Sequence, residues 1–290
     1  MFTTTESHDD PISFRAAVDG YLRANLAACN QIFTITQGLT AESIKRNRGW
    51  LVRLHRGGET CGVCLIHSAP PTRRLLVSDL DDECAAAIGS TLDEAGIELS
   101  AVVGPPDSVA RLAKYLGANT VERVRLGNHA LDTPPLIPAC PGDARVATTD
   151  HFELLLRWES AFCMECGLPE NVANLDKDIG DRLADAACAY WLWVVDGVPA
   201  AMALARARSP AARIGMVYTT PEHRGRGYAG ALVGNVSRTL LATGCEAVFL
   251  YTDLANPTSN GVYRRIGFHC IGELTHLDIL RGDTEQTGGR

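Results

Sequence analysis

The chain lacks any apolar run long enough to cross a bilayer, and it lacks the basic, apolar leader of a secretory signal. The expectation is a cytoplasmic protein with no membrane-spanning part. Positive net charge is missing too. Lys and Arg total 27 against 34 Asp and Glu, a formal charge of −7. That balance argues against a nucleic-acid partner, since such proteins are usually basic, and mildly favours cationic ones. A Gly-Lys-Ser/Thr phosphate loop is absent. So is metal-ribbon spacing among the ten cysteines. The Cys61/Cys64 and Cys163/Cys166 pairs lie far apart in different halves, and the first sits in an expected strand, where i and i+3 point to opposite faces. The cysteines read as free, buried hydrophobes, with no metal site and no disulfide.

Of what is present, hydrophobic residues make up 46% of 290 positions, enough for two packed domains. The stretch 132–143 holds Pro134, Pro135, Pro138 and Pro141, which excludes a helix or a central strand. It reads as a semi-rigid linker at 134–143 between domains at 1–133 and 144–290. In the second half a strand at 144–148 precedes helical segments at 151–163 and 171–188. A hairpin of 190–195 and 199–206 turns at Asp196-Gly197. Then come a strand at 213–219, a helix ended by Gly244, a strand at 246–252, a helix near 259–265 and two final strands. The first half repeats this order more faintly. It has a hairpin of 50–55 and 61–67, a strand at 73–78, a helix at 84–94, a strand at 98–103 and a helix at 108–116, and 121–132 would close its sheet.

The most informative stretch runs from Tyr218 to Ala229, TTPEHRGRG between two aromatics and an alanine. A buried strand enters it and an amphipathic helix leaves it. Two glycines let successive N–H groups point into one concavity, and the helix start adds free donors and a positive dipole end. The site suits a pyrophosphate, with Arg224 and Arg226 flanking it. Gly225-Arg226-Gly227-Tyr228-Ala229-Gly230 also fits the dinucleotide fingerprint G-x-G-x-x-G, and Asp253 follows the next strand. In that fingerprint, however, the first glycine ends the strand directly, and further βα units follow. Here Pro221-Glu222-His223-Arg224 intervene, and only a helix and a hairpin are expected after Asp253.

Downstream, Asn256-Pro-Thr-Ser-Asn-Gly-Val-Tyr263-Arg-Arg-Ile-Gly267-Phe268 resembles the closing motif of the GNAT superfamily of N-acetyltransferases. The glycine turn matches that superfamily's acyl-CoA loop, Arg/Gln-x-x-Gly-x-Gly/Ala, at Arg224, Gly227 and Ala229. The resemblance covers roughly 144–282. It implies an α/β (α+β) protein of two GNAT-like domains. Each would be a central mixed, mostly antiparallel sheet with a splayed parallel pair, flanked by helices. It also implies acetyl-CoA as co-substrate and an amine, on a small molecule or a protein, as acceptor. The two-domain layout is similar to that of glycine N-acyltransferase-type enzymes. The first half would be a degenerate copy: its loop is Asp79-Leu80-Asp81-Asp82, which repels phosphate, and Ala113 stands at the tyrosine position.

By the same resemblance Tyr263 is the general acid for the leaving thiolate. The main chain of Val217, Tyr218 and Thr219 meets the pantetheine arm, with a backbone N–H near Val217 as oxyanion donor. Arg224, Gly225, Arg226, Gly227, Tyr228 and Ala229 hold the pyrophosphate, and Asn256 bonds at the mouth. Ser259 is a weaker candidate because serine near a helix start is usually a cap. The strand Arg213–Thr219 has no carboxylate, although many relatives place a Glu there. The base is therefore open among Glu159, Glu165 and Asp253, each more typical of a solvated charge or a cap. His223 reads as exposed. Trp158, Phe162 and Met164 are candidates for an acceptor pocket, and Trp191 and Trp193 read as structural. A non-catalytic acyl-CoA-binding regulatory module and a dinucleotide-binding module remain as alternatives.

Overall fold

The computed structural model describes residues 2–280 apart from Ala69 and Pro71. Residues 281–290, inside the expected C-terminal domain, lie outside the described residues. Contacts divide the chain into two compact units. Unit 1 runs to Leu126 and resumes at Glu273; unit 2 is Gly127–Gly272.

Unit 1 begins with β1 (Thr4–His8), α1 (Pro11–Ala24), α2 (Leu26–Gly38) and α3 (Ala41–Asn47). In α1, Phe14, Val18 and Leu22 recur every fourth position and are buried, and Asp10 caps the helix by accepting from the Ser13 N–H at 2.8 Å. Next come β2 (Trp50–Arg56), β3 (Glu59–Ile66), β4 (Arg74–Val77), α4 (Asp82–Glu94), β5 (Ala101–Gly104), α5 (Pro106–Ala113) and β6 (Asn119–Leu131). Strands β1 to β4 pair antiparallel in sequence order, and β4 pairs parallel with β5. Ile88 and Leu92 of α4 pack on Val52, Leu54, Ile66 and Leu75.

Unit 2 repeats the order. It holds β7 (Asp143–Val146), α6 (Phe152–Glu165), α7 (Leu175–Ala184), β8 (Cys188–Val195), β9 (Val198–Arg208), β10 (Ala211–Thr219), α8 (Tyr228–Ala242), β11 (Ala247–Asp253), α9 (Pro257–Ile266) and the start of β12 (His269–Leu280), whose residues from Glu273 on belong to unit 1. A 3-10 turn at Pro169–Asn174 occupies the start of the segment expected as one helix at 171–188, and β8 takes its end. The β8–β9 turn has positive φ at Asp196 (50°) and Gly197 (80°), the geometry that matches strand twist. β9 carries Ala201, Ala203 and Ala205 on one face, packed with Ala231, Leu232 and Val236 of α8. Met202 and Leu204 on the other face join Leu155 and Trp158 of α6 and Ile179 of α7. The sheet is thus sandwiched between α8/α9 and α6/α7.

Two expectations are corrected. The end of the chain is one strand, not two, within the described residues. The strand that completes unit 1's sheet beside β5 is β12, with Thr275–Asp278 antiparallel to Ala101–Gly104. Residues 127–131 of β6, all buried, belong instead to unit 2, where β6 lies beside β11. Long-range pairing of this kind leaves no trace in local periodicity.

Residues 132–142 form no helix or strand, but they are fastened rather than free. The Leu136 N–H donates to the Ile266 carbonyl at 2.8 Å, and Trp193 Nε1 donates to the Pro141 carbonyl at 2.9 Å. Gly234 and Gly230 of α8 make room: a Cβ on Gly234 would stand 3.0 Å from Ile137, and one on Gly230 3.4 Å from Pro138. Among the described residues no helix is long and apolar enough to cross a membrane.

Candidate active site

The site starts where two parallel strands part. β10 pairs with β11 from Ala211–Ala247 to Ile214–Leu250, and there the ladder ends. On its other side β10 stays with β9, through a register shift between Gly215 and Tyr218. Met216 lies in this bulge with φ of 50°, in the left-handed region a bulky side chain rarely adopts. From Gly215 to Thr219 the main chain has no ladder partner on the β11 side. Those residues include Val217 and Tyr218, whose backbone has no ladder partner on that side and could meet an extended ligand, and Thr219, whose carbonyl accepts from Arg224. The Tyr218 side chain is buried and packs against Trp158, ring centres 6.3 Å apart.

A 3-10 turn at Pro221–His223 follows, then Gly225 (φ 75°) and Gly227 (φ 83°), the latter at the N-cap of α8. Both angles require glycine. A Cβ at either position would meet nothing within 4 Å, so the turn faces open space. The first intrahelical bond of α8 runs from the Ala231 N–H to the Gly227 carbonyl at 3.0 Å. The N–H groups of Tyr228, Ala229 and Gly230 therefore lack helical partners. The Tyr228 ring is buried and contributes packing, and its backbone contributes a donor. The Arg226 guanidinium donates to the Glu222 carbonyl at 3.2 Å. Arg224 is engaged: it donates to both Glu165 oxygens at 2.7 and 2.8 Å and to the Thr219 carbonyl at 3.0 Å, and lies 5.7 Å over the Tyr218 ring. His223 is half-buried rather than exposed, with Nδ1 2.8 Å from the Thr220 hydroxyl.

Tyr263 on α9 is buried and meets Phe268 edge-to-face at 6.1 Å. Burial, and secondarily the neighbouring Cys166 thiol, push its phenol well above the usual range. Asn256 caps α9, its side-chain oxygen accepting from the Ser259 N–H at 3.1 Å. Ser259 is thus the capped residue, not the cap. Asn260, which the motif reading passed over, donates to the carbonyls of Asp253 (3.0 Å) and Leu254 (3.2 Å) and keeps a buried side-chain oxygen without a partner.

None of the three carboxylates considered as a base is idle. Glu159 is fully buried, not solvated: Arg182 donates to one oxygen and the Tyr190 hydroxyl to the other at 2.6 Å. Glu165 holds Arg224. Asp253 accepts from the Ala255 N–H at 2.8 Å. Of the expected pocket side chains, Trp158 is buried and Phe162 partly so in one cluster, while Met164 is outside that cluster and 62% exposed.

The corresponding place in unit 1 is closed. Gly104 brings β5 so near β4 that a Cβ there would stand 2.4 Å from the Val77 side chain and 2.7 Å from its carbonyl. The Leu80 N–H is taken by the Ser108 hydroxyl at 2.8 Å, and the Cys84 N–H by Asp81 at 2.9 Å.

Residues 152–268 match the Acetyltransferase (GNAT) family. No curated protein sequence matches the chain. Solved structures do. A Drosophila melanogaster protein has 12% identity and a TM-score of 0.68, over 95% of this chain and 98% of that one. A GCN5-related N-acetyltransferase from Sphaerobacter thermophilus has 19% identity and a TM-score of 0.55, over 97% and 96%. A tandem GNAT protein from the clavulanic acid biosynthesis pathway has 14% identity and a TM-score of 0.54, over 81% and 84%. At such identities the likeness speaks to fold alone. The parted strands, the double-glycine turn and the match to the Acetyltransferase (GNAT) family all fall on one segment of the chain, residues 152–268.

Proposed function

We propose that unit 2 transfers an acetyl or other short acyl group from CoA to a primary amine. The observation that carries this reading is the coincidence of the β10–β11 parting with the glycine turn onto α8. One gives an extended arm a main-chain edge; the other gives a pyrophosphate a nest of N–H donors. The deprotonated amine attacks the thioester carbon, the C–N bond forms, and the C–S bond breaks. A backbone N–H near Val217 steadies the developing oxyanion. Tyr263, held protonated by burial, supplies a proton to the departing thiolate, and the proton that the nitrogen sheds as the amide forms passes through water to restore the phenol. The ammonium, with a pKa near ~10.4 when free, must first lose its proton. With Glu159, Glu165 and Asp253 all engaged, we assign that step to water leading out of the cleft.

That engagement is also the observation favouring a second reading, an acyl-CoA-binding module without turnover. A screen of amines for CoA release separates the two. Release with any amine, abolished in Tyr263→Phe, supports transfer. Tight acetyl-CoA binding with no release across the screen supports the regulatory module, and thermal stabilisation by NAD but not acetyl-CoA overturns both.

A further inference from the structure

Unit 1 brings two thiols into contact. β3 pairs with β2 through a register shift. Thr60 faces His55 and Gly62 faces Leu54, so Cys61 is the extra residue of a bulge. A regular strand would send Cys61 and Cys64 to opposite faces. The bulge instead turns Cys61 toward the core under α4, where Cys64 and Cys84 are buried and Cys61 packs against the same cluster. Cys84 stands in the first turn of α4, and its Sγ lies 3.6 Å from that of Cys61. Arg56, at the end of β2, reaches the same spot. It donates to both Asp81 oxygens at 2.7 Å, which fixes its guanidinium, and to the Cys84 Sγ at 3.4 Å.

Three features separate this pair from cysteines that only fill a core. The first is distance. Disulfide sulfurs bond at about 2.05 Å, so these two have about 1.5 Å left to close. The second is unequal access. Cys61 is half-buried, whereas Cys84 is 1% exposed. Burial first, then the Cys61 sulfur, pushes the Cys84 thiol up, so Cys84 keeps its proton while Cys61 meets solvent. The third is the neighbouring cation. The Arg56 charge acts on both sulfurs, and a guanidinium beside a sulfur favours the thiolate that attacks.

We propose that Cys61 and Cys84 are a modification site at which a reversible intramolecular disulfide forms, with Cys61 the thiol that meets the oxidant and Cys84 the thiol that resolves. The oxidant is a small disulfide, with glutathione disulfide as the probe. The Cys61 thiolate attacks one of its sulfurs, a mixed disulfide forms, and one glutathione thiolate leaves. Cys84 then attacks the Cys61 sulfur. The protein S–S bond forms, and the second glutathione leaves with the Cys84 proton. Two cysteines are oxidised by two electrons, and one glutathione disulfide is reduced to two glutathiones. The bond ties β3 to the first turn of α4 across a separation of 23 residues, which restricts the unfolded chain. Nothing in this site depends on acyl transfer by unit 2.

The test exposes the folded full-length protein to glutathione disulfide, blocks the remaining thiols with iodoacetamide in denaturant, and maps the unreduced digest by mass spectrometry. The expected product is a pair of peptides joined through Cys61 and Cys84, two hydrogens lighter than its parts and separated by dithiothreitol. Cys84→Ser should instead retain glutathione on Cys61, because nothing resolves the mixed disulfide. Cys61→Ser should leave Cys84 free of glutathione. Cys64→Ser, altered within the same cluster, should still form the Cys61–Cys84 bond. Oxidised wild type should melt roughly 5 °C or more above the dithiothreitol-treated protein. The same rise in Cys61→Ser would assign it to other cysteines and count against the pair. Glutathione on the exposed Cys166 and Cys270 with Cys61 and Cys84 both left as thiols overturns the proposal. So does a Cys61–Cys84 bond that forms only in urea, or a bond from Cys61 to Cys64 in its place.

Discussion

Tyr263 is buried against Phe268, yet the motif reading makes it an acid, and the two roles are compatible because burial keeps the phenol protonated. Tyr263→Phe keeps the ring and removes one hydroxyl. The expected outcome is a fall in kcat of roughly 10²–10⁴, the span of a general acid. Acetyl-CoA affinity should be nearly unchanged, since the lost interaction belongs to the transition state. Steady-state kinetics and a binding isotherm on the folded variant check both, and near-normal kcat would reduce Tyr263 to a core residue. Glu159 makes the opposite case. Its sequence context, a glutamate on an amphipathic helix, gave no sign that Arg182 and Tyr190 would enclose it, because those partners come from a different helix and a strand. Glu159→Ala leaves a buried guanidinium without its partner and should cost about 3–5 kcal/mol in urea unfolding. Glu165→Ala breaks an exposed pair with Arg224 and should cost about 1 kcal/mol or less. Comparable losses in the two variants would show that the buried triad is not the stronger restraint.

Two parallel pairs of strands, one in each unit, differ at a single feature, whether the pair opens. β10 and β11 part after Ile214 and Leu250, whereas Gly104 lets β5 close on Val77. The turn that follows each pair differs in the same sense: open glycines before α8, and N–H groups already satisfied by Ser108 and Asp81 before and within α4. Gly227→Glu forces a side chain with unfavourable φ into the open turn and sets a negative charge there. Calorimetric titration should then detect no acetyl-CoA binding, while the circular dichroism spectrum stays that of the wild type; retained binding would move the phosphate site elsewhere. The turn glycines, the hairpin dipeptide and the alternating strands were legible in the sequence, since they act through local backbone rules, whereas the parting of β10 from β11 was implied only by the resemblance and the closing at Gly104 left no local signal. The order of the second half, from the hairpin at Asp196-Gly197 to α9, could be read directly. β1 and α1–α3 went unread, and α7 was placed too broadly, because its start is a 3-10 turn and its expected end is strand β8. The Met216 bulge was not legible at all, since nothing about methionine marks a positive φ.

At the scale of the whole chain, strand membership does not follow sequence halves. Thr275–Asp278 pair with β5 of unit 1, and residues 127–131 of β6 belong to unit 2. Sequence boundaries at 133 and 144 follow the prolines, which mark where regular structure stops but not which sheet a strand joins. A fragment of residues 144–290 would carry a C-terminal strand with no β5 to pair with and would lack β6. It should aggregate where the full chain does not, through unpaired strand edges, and a monodisperse, folded fragment on size-exclusion chromatography would count against this exchange. The same division bears on ligand stoichiometry. Repetition of the fold in both units invites two cofactor sites per chain, but only unit 2 combines a parted strand pair with an open glycine turn. Calorimetry should therefore give one acetyl-CoA per chain. Acetyl-CoA at about a hundred times its Kd adds about 2.7 kcal/mol to the stability of the unit that binds it. For a domain of this size that is a rise in Tm of roughly 5–10 °C. If the units melt separately, only the transition belonging to unit 2 should move, and that transition should stand still in Gly227→Glu. Two equivalents bound, or a second transition that still rises in Gly227→Glu, would show that the closed pair of β4 and β5 opens to accept ligand after all.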